Sequence, residues 1–147
     1  MENISLFNEL QVGSHEGDWY RFHPRVWSHK GAIVDLGCLG WDWSKCFLGK
    51  KRVIGADPNE SIIPEGAELY NGFIWNYNGT LRFYKSPIAG RTTAFYRGDC
   101  KKPIISWKHF CEKFKIDSIS LLKMNIEGME YDLLIHELDP MPDQIVV

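Results

Sequence analysis

The sequence predicts an α/β domain with a doubly wound, mostly parallel sheet, and three observations carry that expectation. Short β-rich runs, "AIVDL" (32–36), "RVIGAD" (52–57) and "SISLLKM" (118–124), alternate with segments of helical period. The first two runs are joined by a short turn-and-helix link, which favours a parallel pair with a right-handed crossover. Each run ends in glycine, acidic or amide residues, at the end of the sheet where open α/β folds hold ligands.

The elements follow in order. Residues 3–11 have the spacing of a short amphipathic helix, and the segment from there to Lys30 is rich in Gly, His and aromatic residues without a clear period. Residues 1–30 therefore read as an N-terminal helical or irregular extension ahead of one domain over 31–147. "AIVDL" is a strand, "GCLGW" a turn, and Trp43, Cys46 and Phe47 recur at helical spacing before Gly49. "RVIGAD" is the second strand, closed by Pro58 and Asn59. "AELYNGFIW" (67–75) and "TLRFYK" (80–85) read as a β pair around Asn78-Gly79, a strong hairpin signal. "IAGRTTAFYRGDCKKP" (88–103) is a loop by composition. Ser106 is placed to cap a helix whose Trp107, Phe110, Cys111 and Phe114 form a buried stripe. "SISLLKM" is the next strand. A helix with Tyr131, Leu134, Ile135 and Leu138 on one face follows, halted by Pro140 and Pro142, and "QIVV" begins a last strand.

With 147 residues, 44% hydrophobic and 24% charged, the chain can bury a sizeable core. A net charge of −2 gives no electrostatic case for nucleic acid, whose backbone binders carry a strongly basic face. No apolar run approaches the roughly 20 residues of a membrane helix, and "MENISLFNEL" lacks the layout of a signal peptide, so a cytoplasmic location away from membranes is expected. Cys38, Cys46, Cys100 and Cys111 lack C-x-x-C spacing and read as small buried hydrophobes. The five His residues have no zinc-type spacing, so no metal site is expected. Lys50, Lys51 and Arg52 precede the second strand, at the far end of the sheet from a ligand crevice, and read as a solvated turn.

Three strand-end seams carry the chemistry: "DLGCLGWD" (35–42), "ADPNE" (56–60) and "NIEGME" (125–130). Gly37 and Gly40 let the first seam turn tightly and approach a ligand. Asp57 ends the second strand about 20 residues later, where an acid can take both hydroxyls of an adenosine ribose. A nicotinamide or flavin site would want G-x-G-x-x-G, but the first position of that frame is Asp35. A carboxylate pointing into the turn would repel pyrophosphate and could instead hold an ammonium group, such as the amino acid end of S-adenosylmethionine. Cys38, Trp41 and Pro58, flanking these positions, complete the candidate cofactor-binding set with Asp35, Gly37, Gly40 and Asp57. In the third seam, Glu127 and Glu130 also sit where a helix N-terminus favours negative charge.

The runs "VDLGC" (34–38), "VIGADPNE" (53–60) and "ISLLKMNIEGMEYDLL" (119–134) resemble the FkbM-type family of S-adenosylmethionine-dependent methyltransferases. "GTLRFY" (79–84) and "ISWKHFCEKFKI" (105–116) fit it in order and spacing, so the resemblance spans about 33–147. It implies a class I, Rossmann-like methyltransferase fold that transfers a methyl group, usually to oxygen on a sugar, polyketide or other small molecule. By the same resemblance Asp35, Gly37 and Gly40 shape the methionine pocket and Asp57 binds ribose, while Asn125 and Glu127 face the acceptor as the catalytic pair. The family usually has Asp where Asn125 stands; an amide orients a hydroxyl but cannot take its proton, which leaves Glu127 as the base. The glycine turn reads G-x-x-G, one residue tighter than the family's. Only nine residues, Pro58 to Gly66, join the second and third strands, leaving little room for a crossover helix. The class I sheet normally closes with a strand hairpin, whereas this chain stops in "QIVV". The expectation is a sheet without that hairpin, its edge strand exposed: either the sequence is truncated, a partner such as a second copy covers the edge, or the fold is reduced. The alternative is a reduced, non-catalytic methyltransferase-like module that binds ligand or a partner.

Overall fold

The computed structural model describes residues 11–15, 18–85, 92–93, 98, 100–126, 128–136 and 138–147. The strands are β1 (Gln11–His15), β2 (Asp18–Phe22), β3 (Ala32–Leu36), β4 (Val53–Ala56), β5 (Ala67–Tyr70), β6 (Phe73–Trp75), β7 (Gly79–Lys85), β8 (Thr92–Thr93), β9 (Cys100–Ser106), β10 (Ile119–Met124) and β11 (Ile145–Val146). The helices are α1 (Trp107–Phe114) and α2 (Glu130–Leu134). β11-β10-β3-β4-β5 form a parallel five-stranded sheet, the α/β architecture expected. Its order runs outward in both directions from β3, so the switch point lies between β3 and β10.

Period-2 alternation along the strands makes two cores. Val34, Leu36, Ile54, Leu122 and Met124 pack on one face with Trp107, Phe110 and Cys111 of α1. Ile33, Val53 and Leu121 point to the other face, against Phe22, Trp41, Trp43 and Phe47. Helix α1 starts as expected: the Ser106 side chain accepts the His109 N–H, and Lys115 in the left-handed region ends it.

Several elements differ from the sequence reading. The segment between the first strands holds two 3-10 turns, Leu39–Trp41 and Ser44–Phe47, in place of one α-helix. Gly40 (φ 75) and Trp41 (φ 57) interrupt it, yet Trp43 and Phe47 stay buried, packed with Phe22 and Val26. Residues 67–75 are two strands in different sheets, and β6 does not pair with β7. Strand β9, inside the stretch read partly as loop, slots between them, its Ile104 opposite Phe73 in parallel and Gly79 in antiparallel. Pro103 is tolerated because pairing with β6 begins only at Ile104. With β8 these strands form a second, four-stranded sheet. The segment without clear period contains the β1–β2 antiparallel hairpin, while the helix expected at 3–11 lies mostly outside the described residues.

Helix α2 is only five residues long and turns the other way round from expectation: Leu133 is buried, while Tyr131 (73% exposed) and Ile135 (57%) face outward. Among the cysteines, Cys38 and Cys111 are buried, Cys100 is half-buried and Cys46 is exposed.

Candidate functional site

Alternation places Asp35 on the same face as Ile33, inside strand β3 and one residue before its end, so it does not point into the following turn. An acid buried there needs a counter-charge. Parallel register supplies one, because Lys123 of β10 is the cross-strand partner of Asp35. The Lys123 ammonium lies 2.9 Å from Asp35 Oδ1, with side chains 5% and 1% exposed. It also donates a hydrogen bond to the Gly37 carbonyl at 2.8 Å. The ring of Tyr20 covers the ammonium, 5.4 Å from its centroid. The cation expected from a cofactor is thus met first by one from the chain itself.

The turn after β3 is stitched to both neighbours. Gly37 (φ 81) donates to the Ala56 carbonyl at 2.8 Å, and Asn125 donates to that of Leu36 at 2.9 Å. A Cβ at position 37 would collide with the Asn125 carbonyl oxygen, so only glycine fits. Gly40 and Trp41 are engaged with the link between β4 and β5. The Gly40 N–H donates to Glu60 Oε2 at 2.6 Å and the Trp41 indole to the Ile62 carbonyl at 2.7 Å. The Trp41 ring and the Cys38 sulfur roof over Gly55, where any side chain would strike them. Burial pushes the Cys38 thiol far up, helped by the nearby Asp35 carboxylate, so it stays protonated.

Asp57 follows β4 and is 8% exposed. Its Oδ1 accepts the N–H groups of Asn59 at 2.7 Å and Glu60 at 3.2 Å. Burial raises its pKa, and those backbone donors oppose the rise. Glu60, itself buried, also accepts from Ser61 (2.8 Å) and Ile62 (2.7 Å) through Oε1. Asn71 donates to the carbonyls of Asp57 and Pro58 at 3.3 Å and to that of Glu60, and receives Lys102. This polar wiring replaces the crossover helix for which the link has no room. Sequence reasoning assigned no role to Glu60 or Asn71; the acid three residues after Asp57 was the available signal.

In the third seam, Asn125 sits at the crevice, whereas Glu127 lies outside the described residues. Glu130 folds the loop back: Oε1 accepts the Ile126 N–H at 2.6 Å and Oε2 that of Gly128 (φ 95) at 2.7 Å. Its carboxylate serves the loop ahead of α2 and not the helix end, which has no side-chain cap.

Two clefts open at this end of the sheet. They share Gly37, Leu39, Asp57 and Asn125. One is largely apolar, with Leu36, Ala56, Phe73, Ile74 and Met129, and includes Pro58. The other carries Tyr20, Asp35, Cys38, Asp42, Trp43 and Lys123. Of the candidate cofactor residues, five line a cleft or both, namely Asp35, Gly37, Cys38, Asp57 and Pro58. Gly40 and Trp41 stand behind them. No group of three or more potential metal ligands occurs among the described residues, and no helix among them is long and apolar enough to cross a membrane.

A parallel sheet with its ligand crevice at the switch point defines a Rossmann-like α/β enzyme. The family model of the FkbM methyltransferase domain matches residues 11–144, so the chain belongs to that family and is a methyltransferase of class I fold. The match takes in the β1–β2 hairpin. No curated protein and no solved structure matches the chain significantly.

Proposed function

We propose that the chain transfers a methyl group from S-adenosylmethionine to an oxygen of a small molecule or sugar. One observation carries this reading: an apolar cleft and a charged cleft meet at Asp57, at the end of the sheet where the strands finish. That is the order of properties that an adenosine with a zwitterionic tail requires. Leu36, Ala56, Phe73, Ile74 and Met129 offer an apolar slot to a purine. Asp57 presents carboxylate oxygens at the junction, where a ribose diol needs acceptors. Asp35 and Lys123 wall the charged part, beside the tail.

S-adenosylmethionine, when bound, supplies a methyl group on a cationic sulfur. The chain's own part is alignment and proton handling. Asn125, which borders both clefts, is read as orienting the acceptor hydroxyl, and Glu127 as taking its proton, a role that rests on the family resemblance. The Cys38 thiol, kept protonated by burial, is no competing nucleophile.

Isothermal titration with S-adenosylmethionine and S-adenosylhomocysteine tests the reading. Both should bind; no heat from either at millimolar ligand would overturn it. A panel of hydroxylated small molecules and sugars then tests the acceptor class, and binding without turnover on any of them would favour the reduced binding module.

A further inference from the structure

The charged cleft contains a feature that the cofactor reading does not explain. Among the described residues lining it, Lys123 is the one cation, and it is already paired with the acid that a cofactor ammonium was expected to meet. We propose that Lys123 reads the carboxylate of the cofactor's amino acid tail, and that Asp35 is a positioning residue that holds the Lys123 side chain in place. The inference rests on the S-adenosylmethionine reading and deepens it.

A lysine ammonium has three N–H donors. Among the described residues Lys123 has one hydrogen-bond acceptor, the Gly37 carbonyl at 2.8 Å. Asp35 Oδ1, at 2.9 Å, is its ion-pair partner and takes at most one more donor. At least one donor therefore remains on a side chain that lines the cleft. Asp35 is less accessible, since its side chain is 1% exposed against 5% for Lys123 and its Oδ1 is sealed from solvent. A ligand carboxylate can gain a charge-assisted hydrogen bond at Lys123 without displacing the pair. A ligand ammonium would have to compete with Lys123 for a carboxylate that is already neutralised. The other acids do not alter this order: Asp42 is paired with Lys45 at 2.7 Å, and Asp57 is engaged by the Asn59 and Glu60 N–H groups.

The test compares three thioether ligands on the native chain by isothermal titration. They are S-adenosylhomocysteine, its analogue with an aminopropyl chain lacking the carboxylate, and its analogue with a carboxypropyl chain lacking the amine. Loss of the carboxylate should weaken binding about 10- to 100-fold, the value of a hydrogen bond to a charged group, and loss of the amine should weaken it far less. Equal affinities for the two analogues, or a larger loss without the amine, would overturn the proposal while leaving the cofactor reading intact. Failure of all three to bind would overturn both. A paired Asp35→Asn/Lys123→Gln variant, which removes both charges together, should bind S-adenosylhomocysteine and the aminopropyl analogue equally. Its melting curve reports whether it folds. Retained discrimination in a folded variant would also sink the assignment.

Discussion

Asp57 Oδ1 accepts two backbone N–H groups of the β4–β5 link, so replacing Asp57 by alanine would loosen that link together with any ribose contact. Asparagine separates the two roles, since it keeps an acceptor oxygen and loses the charge. Asp57→Asn should melt close to the native chain yet bind S-adenosylhomocysteine about tenfold or more weakly. Unchanged affinity would move the ribose elsewhere. Burial raises the folded pKa of Asp57 above its ordinary 3.8. The folded state therefore favours the protonated form, and this group's cost to stability is relieved as pH falls through the raised value. Ligand affinity runs the opposite way, because it needs the carboxylate. In native protein, affinity should decline over a window that begins above the usual aspartate range, and titrations from pH 7 downward on Asp57→Asn should lack that step.

At the scale of elements, the junction of β10 and α2 carries two acids, Glu127 and Glu130, for which different outcomes are expected. Glu130 accepts the N–H groups of Ile126 and Gly128, so Glu130→Ala should cost about 1 to 3 kcal/mol, read as a lower melting temperature. Glu127→Gln should instead lower turnover roughly 100-fold with the melting temperature unchanged. A stability loss without a rate loss at Glu127 would remove it from the chemistry. Asn125→Asp, which restores the family's residue, should be tolerated in the same assay. The elements legible in the sequence are those whose signal is local. Strands β3, β4 and β10 are short apolar runs, and α1 carries both its cap and its stripe. The Asn78-Gly79 signal misled because the turn residue works elsewhere. Asn78 accepts the Ser106 N–H at 2.9 Å and contacts His109, and the strand that fills the gap, β9, comes from farther along the chain. The exposed face of α2 was not legible either: in so short a helix, burial is set by where the loop before it points. For Asp35 the information was present, since strand parity with Ile33 already directs it under the sheet and away from the turn.

Over the whole molecule, the outermost strand β11 is tied to the residues that follow β2. The His23 N–H donates to Gln144 Oε1 at 2.7 Å, and Gln144 Nε2 returns a bond to the His23 carbonyl at 3.2 Å. Beside them Arg25 reaches Asp143 Oδ2 at 2.9 Å and the Asp143 carbonyl at 3.1 Å. The two links look equivalent in count but differ in physical value. The Gln144 amide bonds both backbone groups of one partly buried residue; without it the His23 N–H must find water, at about 1 kcal/mol or somewhat more, while the carbonyl keeps the Val26 N–H at 3.2 Å. The Arg25 side chain is 56% exposed, so its ion pair is screened and worth less than about 1 kcal/mol. Gln144→Ala should therefore lower the melting temperature by about 2–4 °C for each kcal/mol lost, independently of salt. Asp143→Asn should lower it less, and the difference from native should vanish in concentrated salt. A larger loss at Asp143, or a salt-dependent one at Gln144, would mean that charge rather than backbone satisfaction holds the two ends of the family domain together.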